Sequence, residues 1–85
     1  MIIEFDSAKD KANIAKHGVS LGRAADFVAV AVLVDNRNVY GETRYRAYGH
    51  IDGVAHCLAY TYRGQVVRAI SLRRASRAER KRHGL

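Results

Sequence analysis

The apolar positions fall into short blocks whose spacing changes along the chain. Ile2-Ile3-Glu4-Phe5 suits a short strand. Ser7 and Asp10 stand at capping-box spacing, which predicts a helix running to about His17 with Gly18 as a left-handed stop. Ser20 can cap a second helix, with Leu21, Ala24, Ala25 and Val28 spaced i, i+3, i+4, i+7 along one face. Val30 to Val34 is a continuous apolar run rich in β-branched residues and reads as a buried strand. Residues 35–41 read as loop.

The second half reads as an antiparallel meander. Residues 43–51 and 54–62 flank Asp52-Gly53, a strong hairpin signal. A two-residue turn at Arg63-Gly64 leads into a strand over 65–73. Ser76 and Glu79 form a further capping box, opening a last helix that Gly84 ends. The order β-α-α-β-β-β-β-α defines one α+β domain over residues 1–85: an N-terminal strand and two helices, an antiparallel meander and a short C-terminal helix.

Two-residue turns set Arg46 opposite Ala59 and Ala59 opposite Arg68. Strand side chains alternate with period two, so Arg44, Arg46 and Arg68 fall on one face with Cys57, Ile70 and Leu72. Tyr45, Ala47, Ile51, Val54, Leu58, Tyr60, Val67 and Ala69 fall on the other, the expected core face. Three arginines without a local carboxylate repel each other, which suits a visiting anion. The alternative is pairing of Arg44 and Arg46 with Glu42 or with acids of the first half.

Charge sharpens this picture. Residues 1–42 hold five Lys/Arg against six Asp/Glu, net −1, and residues 43–85 hold ten against two, net +8, giving the total of +7. Nine of those ten are Arg, whose planar fork matches phosphate. A basic surface of this kind fits a polyanion, usually nucleic acid. The apolar fraction of 48% is too high for a disordered basic tail. No apolar run reaches membrane-spanning length, and the first residues lack a signal-peptide layout, so a cytoplasmic location is expected. The single Cys57 excludes an internal disulfide.

Lys9, Asn13, Lys16 and His17 line one face of the first predicted helix. That stripe could bind phosphate and supply an imidazole for proton transfer. Lys16 and His17 also stand where cations favour the helix dipole. No acidic cluster suits Mg²⁺ and no histidine spacing suits Zn²⁺, so no cofactor is expected and any chemistry on a phosphodiester here would be metal-free. Arg68 and Arg73 are candidates for phosphate stabilisation, and His17 and His83 for proton transfer. Five positions apart on one strand, Arg68 and Arg73 share a face only if a bulge or strand end intervenes near Ser71. His50 and His56 are expected to be structural. Lys9, Lys16, Arg44, Arg46, Arg74, Arg77, Arg80 and Lys81 are the candidate RNA contacts. A non-catalytic nucleic-acid-binding or protein-interaction module is the alternative.

These residues resemble a known family. Glu4-Phe5-Asp6, Lys9, Asn13 and Lys16-His17-Gly18-Val19 are similar to the opening signature of the BrnT toxins, small ribonucleases of the RelE-like superfamily. The resemblance continues through Glu42-x-Arg44, Gly49, Tyr60-Thr61, Arg63, Arg68, Ile70-Ser71, Arg73-Arg74-Ala75-Ser76 and Glu79-Arg80. It implies a RelE-like fold, cleavage of RNA that inhibits translation, and a ribbon-helix-helix antitoxin, BrnA, whose complex with the toxin binds operator DNA. Without a metal, that cleavage would use the ribose 2′-hydroxyl as internal nucleophile. The chain departs from the pattern at Arg46, in a short Asp52-Gly53 loop, and at His83, where many members carry Tyr.

Overall fold

The computed structural model describes residues 2–37 and 39–85. Strand β1 (Ile3–Glu4) is followed by helix α1 (Ser7–His17), a 3₁₀ segment (Leu21–Asp26), strands β2 (Val28–Asp35), β3 (Arg44–Ile51), β4 (Val54–Arg63) and β5 (Val66–Arg74), and helix α2 (Arg77–His83). The five strands form one mixed sheet in the order β1-β5-β4-β3-β2, with β1 parallel to β5 and the rest antiparallel. The loop expected over 35–41 starts one residue later, since Asp35 pairs with Arg44 as the end of β2; Asn38 lies outside the described residues. No described helix is long and apolar enough to cross a membrane.

The capping of α1 differs from the sequence expectation. Asp6, not Ser7, is the N-cap, and its carboxylate accepts from the Ala8 and Lys9 N–H groups at 2.8 and 3.1 Å. Asp10 is drawn away to the next element, accepting from the Leu21 N–H at 2.7 Å and the Ser20 hydroxyl at 3.0 Å. The Ser20 hydroxyl in turn caps Gly22. The second predicted helix is only this 3₁₀ segment, and Leu21 and Ala24 alone turn inward from it. Ala25 is exposed and Val28 has already entered β2, so the i+4 and i+7 positions never form a face.

One sheet face carries the core: Leu21, Ala24, Ala47, Ile51, Leu58, Tyr60, Val67, Ala69 and Leu72. Helix α1 and the 3₁₀ segment pack on it. The far end stays open as an apolar groove of about 110 Å³, lined by Phe27, Val32, Tyr60 and Tyr62 among others. Asn13, expected on the cationic stripe of α1, is buried instead. Its amide donates to the Val19 and Leu72 carbonyls at 2.8 Å and accepts from the Leu72 N–H at 3.2 Å. The two-residue β1 cannot reach Leu72, so this side chain takes the place of a strand neighbour there.

Strand β2 forms where expected, but it is not buried. It is the sheet edge, and Val28, Val30, Val32, Leu33 and Val34 are 66, 53, 51, 41 and 56% exposed. A continuous apolar run fits a strand buried on both faces, but it does not distinguish that from a strand at an uncovered edge. Gly49 explains how β2 approaches: a Cβ there would collide with the Val28 carbonyl oxygen and lie 2.8 Å from its carbon. Val30 is bulged out of register beside this contact.

The first hairpin matches its arithmetic. Ile51 pairs with Val54 and Arg46 with Ala59, and Asp52 and Gly53 take the positive φ angles, 50° and 75°, of a type I′ turn. The second does not. Arg63 pairs with Val66, so the turn is Gly64-Gln65, one residue later than expected. Ala59 then faces Ser71 rather than Arg68, and Ile70 is left as an unpaired bulge between Ala69 and Ser71. The bulge turns Leu72 from the arginine face into the core, where it is fully buried. It also puts Arg68, paired with Thr61, on the same face as Ser71 and Arg73.

Candidate RNA-binding and catalytic cleft

The face opposite the core gathers Arg44, Arg46 and Tyr48 from β3, Cys57 and Ala59 from β4, and Ser71 and Arg73 from β5. Together with Asp35, Arg37 and Tyr40 at the end of β2, most of them line a cleft of about 220 Å³. A second cleft, of about 200 Å³, is lined by Lys9, Asn13, Lys16, His17, Ile70 and Ser71. Ile70 and Ser71 belong to both, so the bulge is the sill between the helix cations and the sheet arginines.

The arginines differ in how far they are neutralised. Arg37 grips Asp35 with two hydrogen bonds of 2.8 and 2.9 Å. With the Tyr40 hydroxyl adding a third at 3.2 Å, the buried Asp35 carboxyl is held well below the usual carboxylate range. Arg46 approaches Asp35 only at 3.9 Å and Arg44 approaches Glu42 only at 4.0 Å. Arg46 donates to the Tyr48 hydroxyl at 3.0 Å, and Arg44 lies 4.1 Å over the Tyr40 ring. The Nε atoms of both Arg44 and Arg46 are buried and, among the described residues, have no hydrogen-bond partner. The pairing anticipated with Glu42 and first-half acids is therefore present but loose, and it leaves two buried donors unsatisfied. Buried donors of that kind are uncommon and costly in folded proteins.

Arg73 is more firmly held. Glu79 accepts from its two terminal nitrogens at 2.7 and 2.9 Å, and also from the Ser76 N–H, completing the expected capping box of α2. Chiefly through Arg73, the Glu79 carboxyl is lowered to about 2. Arg68 shares the face but lines neither cleft, and donates instead to Glu4 of β1 at 3.2 Å. His83 lines neither cleft and stacks on the buried Tyr48 ring at 4.2 Å between centroids. His17 sits in the second cleft, its pKa lowered by partial burial and by the charges of Lys16 and Arg73. Burial pushes the Tyr48 phenol and the Cys57 thiol up, so both are protonated at neutral pH.

The peripheral candidates are spread wider. Lys9 and Lys16 are exposed on the rim of the second cleft, and Arg74, Arg77, Arg80 and Lys81 are exposed at and beyond the end of β5. His56 is buried, its Nδ1 2.8 Å from the Val54 carbonyl, a structural position as expected. The sequence reading did not single out Asp35, Arg37, Tyr40 or Tyr48. Tyr48 was legible, two positions from Arg46 on the same strand face. The Asp35–Arg37–Tyr40 cluster depends on the loop after β2, for which no spacing rule exists. Among the described residues no three His, Cys, Asp or Glu side chains converge as a metal ion would require.

A family model described as the ribonuclease toxin BrnT of type II toxin–antitoxin systems matches residues 5–79. The chain belongs to the BrnT family. Comparison with curated proteins found no match. BrnT membership assigns the chain to the ribonuclease toxins and implies RNA as substrate and an antitoxin as partner. The matched stretch includes both clefts and ends at Glu79, so Arg80, Lys81 and His83 lie outside it.

Proposed function

We propose that this BrnT toxin cleaves RNA without a metal ion, in the joined clefts, and so halts translation. The loosely paired guanidiniums of Arg44 and Arg46 carry the reading: among the described residues their Nε atoms have no hydrogen-bond partner and meet Glu42 and Asp35 only at 4.0 and 3.9 Å. A phosphate in the cleft meets the accessible parts of these two guanidiniums, whose carboxylate partners neutralise them only loosely, and the shared sill at Ile70-Ser71 lets the strand continue past Lys9 and Lys16. His17, neutral near pH 7 because its pKa is lowered, removes the proton from the ribose 2′-hydroxyl. The 2′-oxygen attacks phosphorus, the 5′-oxygen leaves with a proton from a general acid, and a 2′,3′-cyclic phosphate remains. His83, the acid expected from the sequence, stacks on Tyr48 outside both clefts, so the acid of this reading is left unassigned. Arg73, with Arg68 further along the face, offsets the charge that builds on the phosphorane. Arg74, Arg77, Arg80 and Lys81 bind flanking phosphates.

The partner in this reading is a BrnA-like ribbon-helix-helix antitoxin. An acidic or helical segment of it covers the face bearing Arg44 and Arg68, since charge complementarity speeds encounter. Operator DNA is bound only through the complex, in the cytoplasm.

A second reading has its own support. Arg73 and Arg68 are both engaged by carboxylates, Glu79 and Glu4, so the arginines assigned to catalysis are the better neutralised ones. That favours a module that holds RNA through Arg44 and Arg46 without cutting it. Incubation of the purified chain with RNA in EDTA separates the two. New ends bearing cyclic phosphate support cleavage; intact but retained RNA establishes the binder, and cleavage only after added Mg²⁺ overturns the metal-free route.

A further inference from the structure

Strand β2 leaves a free edge. Its inner side pairs with β3, and among the described residues no strand meets its outer side. From Val28 to Val34 it carries no charge and no proline. Edge strands are normally blunted by charge, proline or a bulge, because an unpaired apolar edge is a template for another strand. β2 has one such device, the bulge at Val30, and it guards only the first half. Ala31 to Asp35 run in unbroken register.

The two ends of this strand differ in charge. Beside Val28 stand Asp26 and Asp52, which share Arg23 at 3.0 and 2.6 Å, net −1. Beside Asp35 stand Arg37, Arg44 and Arg46 against Asp35 and Glu42, net +1. An antiparallel copy of the same strand lays the basic end of one chain against the acidic end of the other, twice. A parallel copy sets like against like. Centred on Leu33, the antiparallel pairing puts Leu33 opposite Leu33 on the cleft face and Val32 opposite Val34 on the other.

We infer that a second copy of this chain adds its β2 antiparallel to β2, forming a two-fold dimer around one ten-stranded sheet. Two-fold pairing is the commonest closed arrangement of identical chains. The axis stands perpendicular to the sheet, so both arginine clefts open on the same side. One RNA can then engage two clefts, the second as an intramolecular event. The net +7 on each chain opposes association, but at physiological salt it is screened beyond a Debye length of about 8 Å. The inference rests on β2 and the charges at its two ends, and stands whether or not the clefts cut RNA.

Sedimentation of the purified chain, from about 5 to about 500 µM by mass action, is the test. The expected result is a concentration-dependent shift to twice the chain mass. Val34→Lys, at an exposed position opposite the clefts, should remain monomeric across that range. Hydrogen exchange of the unmodified chain gives a reading that needs no variant: amides between Ala31 and Asp35 should gain protection as concentration rises. A chain that stays monomeric at the top of the range overturns the inference. So does a dimer whose β2 amides stay unprotected, or β2 protection that arises only with the antitoxin.

Discussion

Arg73 and Glu79 meet through two parallel hydrogen bonds of 2.7 and 2.9 Å across the junction of β5 and α2. The pair fixes the guanidinium at the rim of the cleft and ties the last helix to the sheet. The same carboxylate competes with any phosphate for that guanidinium.

This pair predicts an acid-sensitive fold. The Glu79 carboxyl is lowered from 4.5 to about 2 in the folded chain, so its stabilisation is complete above 4.5 and is lost as pH falls through about 2. Asp35, depressed by Arg37, acts in the same direction. Glu79→Gln should therefore flatten part of the fall in melting temperature across this window and leave the rest to Asp35 and to Asp6, whose carboxyl is lowered by the α1 amides it caps. An unchanged acid profile would show that the pair contributes nothing.

Replacing Arg73 tests both its roles. Losing a donor that stabilises transition-state charge typically costs about 10²–10³ in rate. Arg73→Ala should lose that much and also melt earlier, because Glu79 is left without its partner. Arg73→Lys should restore most of the stability and less of the activity, since Lys cannot form the fork. For Arg68→Ala the expected loss is of similar size with little change in fold, its Glu4 partner being part-exposed. Full cleavage by the folded double variant would remove both residues from the site.

His17 should set the acid limb of the pH–rate profile. Its pKa lies below the ordinary 6.5, so activity should rise with pH through a midpoint below that value. His17→Ala should lower the rate by about 10²–10⁴ and erase that limb. If only the melting temperature moves, His17 is a helix-terminal residue and no base.

The exposed arginines of α2 should reveal themselves through salt. RNA affinity should fall linearly in a log–log plot against salt, and each phosphate contact removed should flatten the slope by about one unit. Arg77→Ala and Arg80→Ala are the pair to measure. A slope that does not move would mark these side chains as merely solvated.

Gly49→Ala probes the packing of β2. The added Cβ meets the Val28 backbone, which cannot swing aside as a flexible side chain would. A loss of about 1–3 kcal/mol is expected, as for other overpacked positions. A chain as stable as the parent would mean that β2 shifts outward freely.

The sequence carried the fold well wherever a rule is local. Asp52-Gly53 fixed its hairpin, Ser76 and Glu79 fixed the start of α2, and Gly18 stopped α1. It failed where two local options compete and a distant partner decides. Asp6 and Ser7 can each cap α1, and Asp6 does so because Ser20 and Leu21 recruit Asp10. The turn after β4 could close at Arg63 or at Gly64, and the one-residue difference changed which residues faced the arginines. Burial of β2 was illegible, because nothing in an apolar run states whether a neighbour exists. Of the candidate site, Arg44, Arg46 and Arg73 could be placed together only once the bulge was known.

The unpaired Ile70 makes the chemistry of this chain a matter of counting. A strand ordinarily sends residues five apart to opposite sides, and one surplus residue brings Arg68 and Arg73 to the same side while sending Leu72 inward. Deleting Ile70 would leave Arg68 and Arg73 four apart, an even spacing that a regular strand sends to one side, and Leu72 would still point inward. What such a deletion removes is the sill that Ile70 gives to both clefts. The basic face is lost by the opposite change, drawing Ile70 into the ladder at unchanged length, which would turn Arg73 to the core side and Leu72 to the clefts.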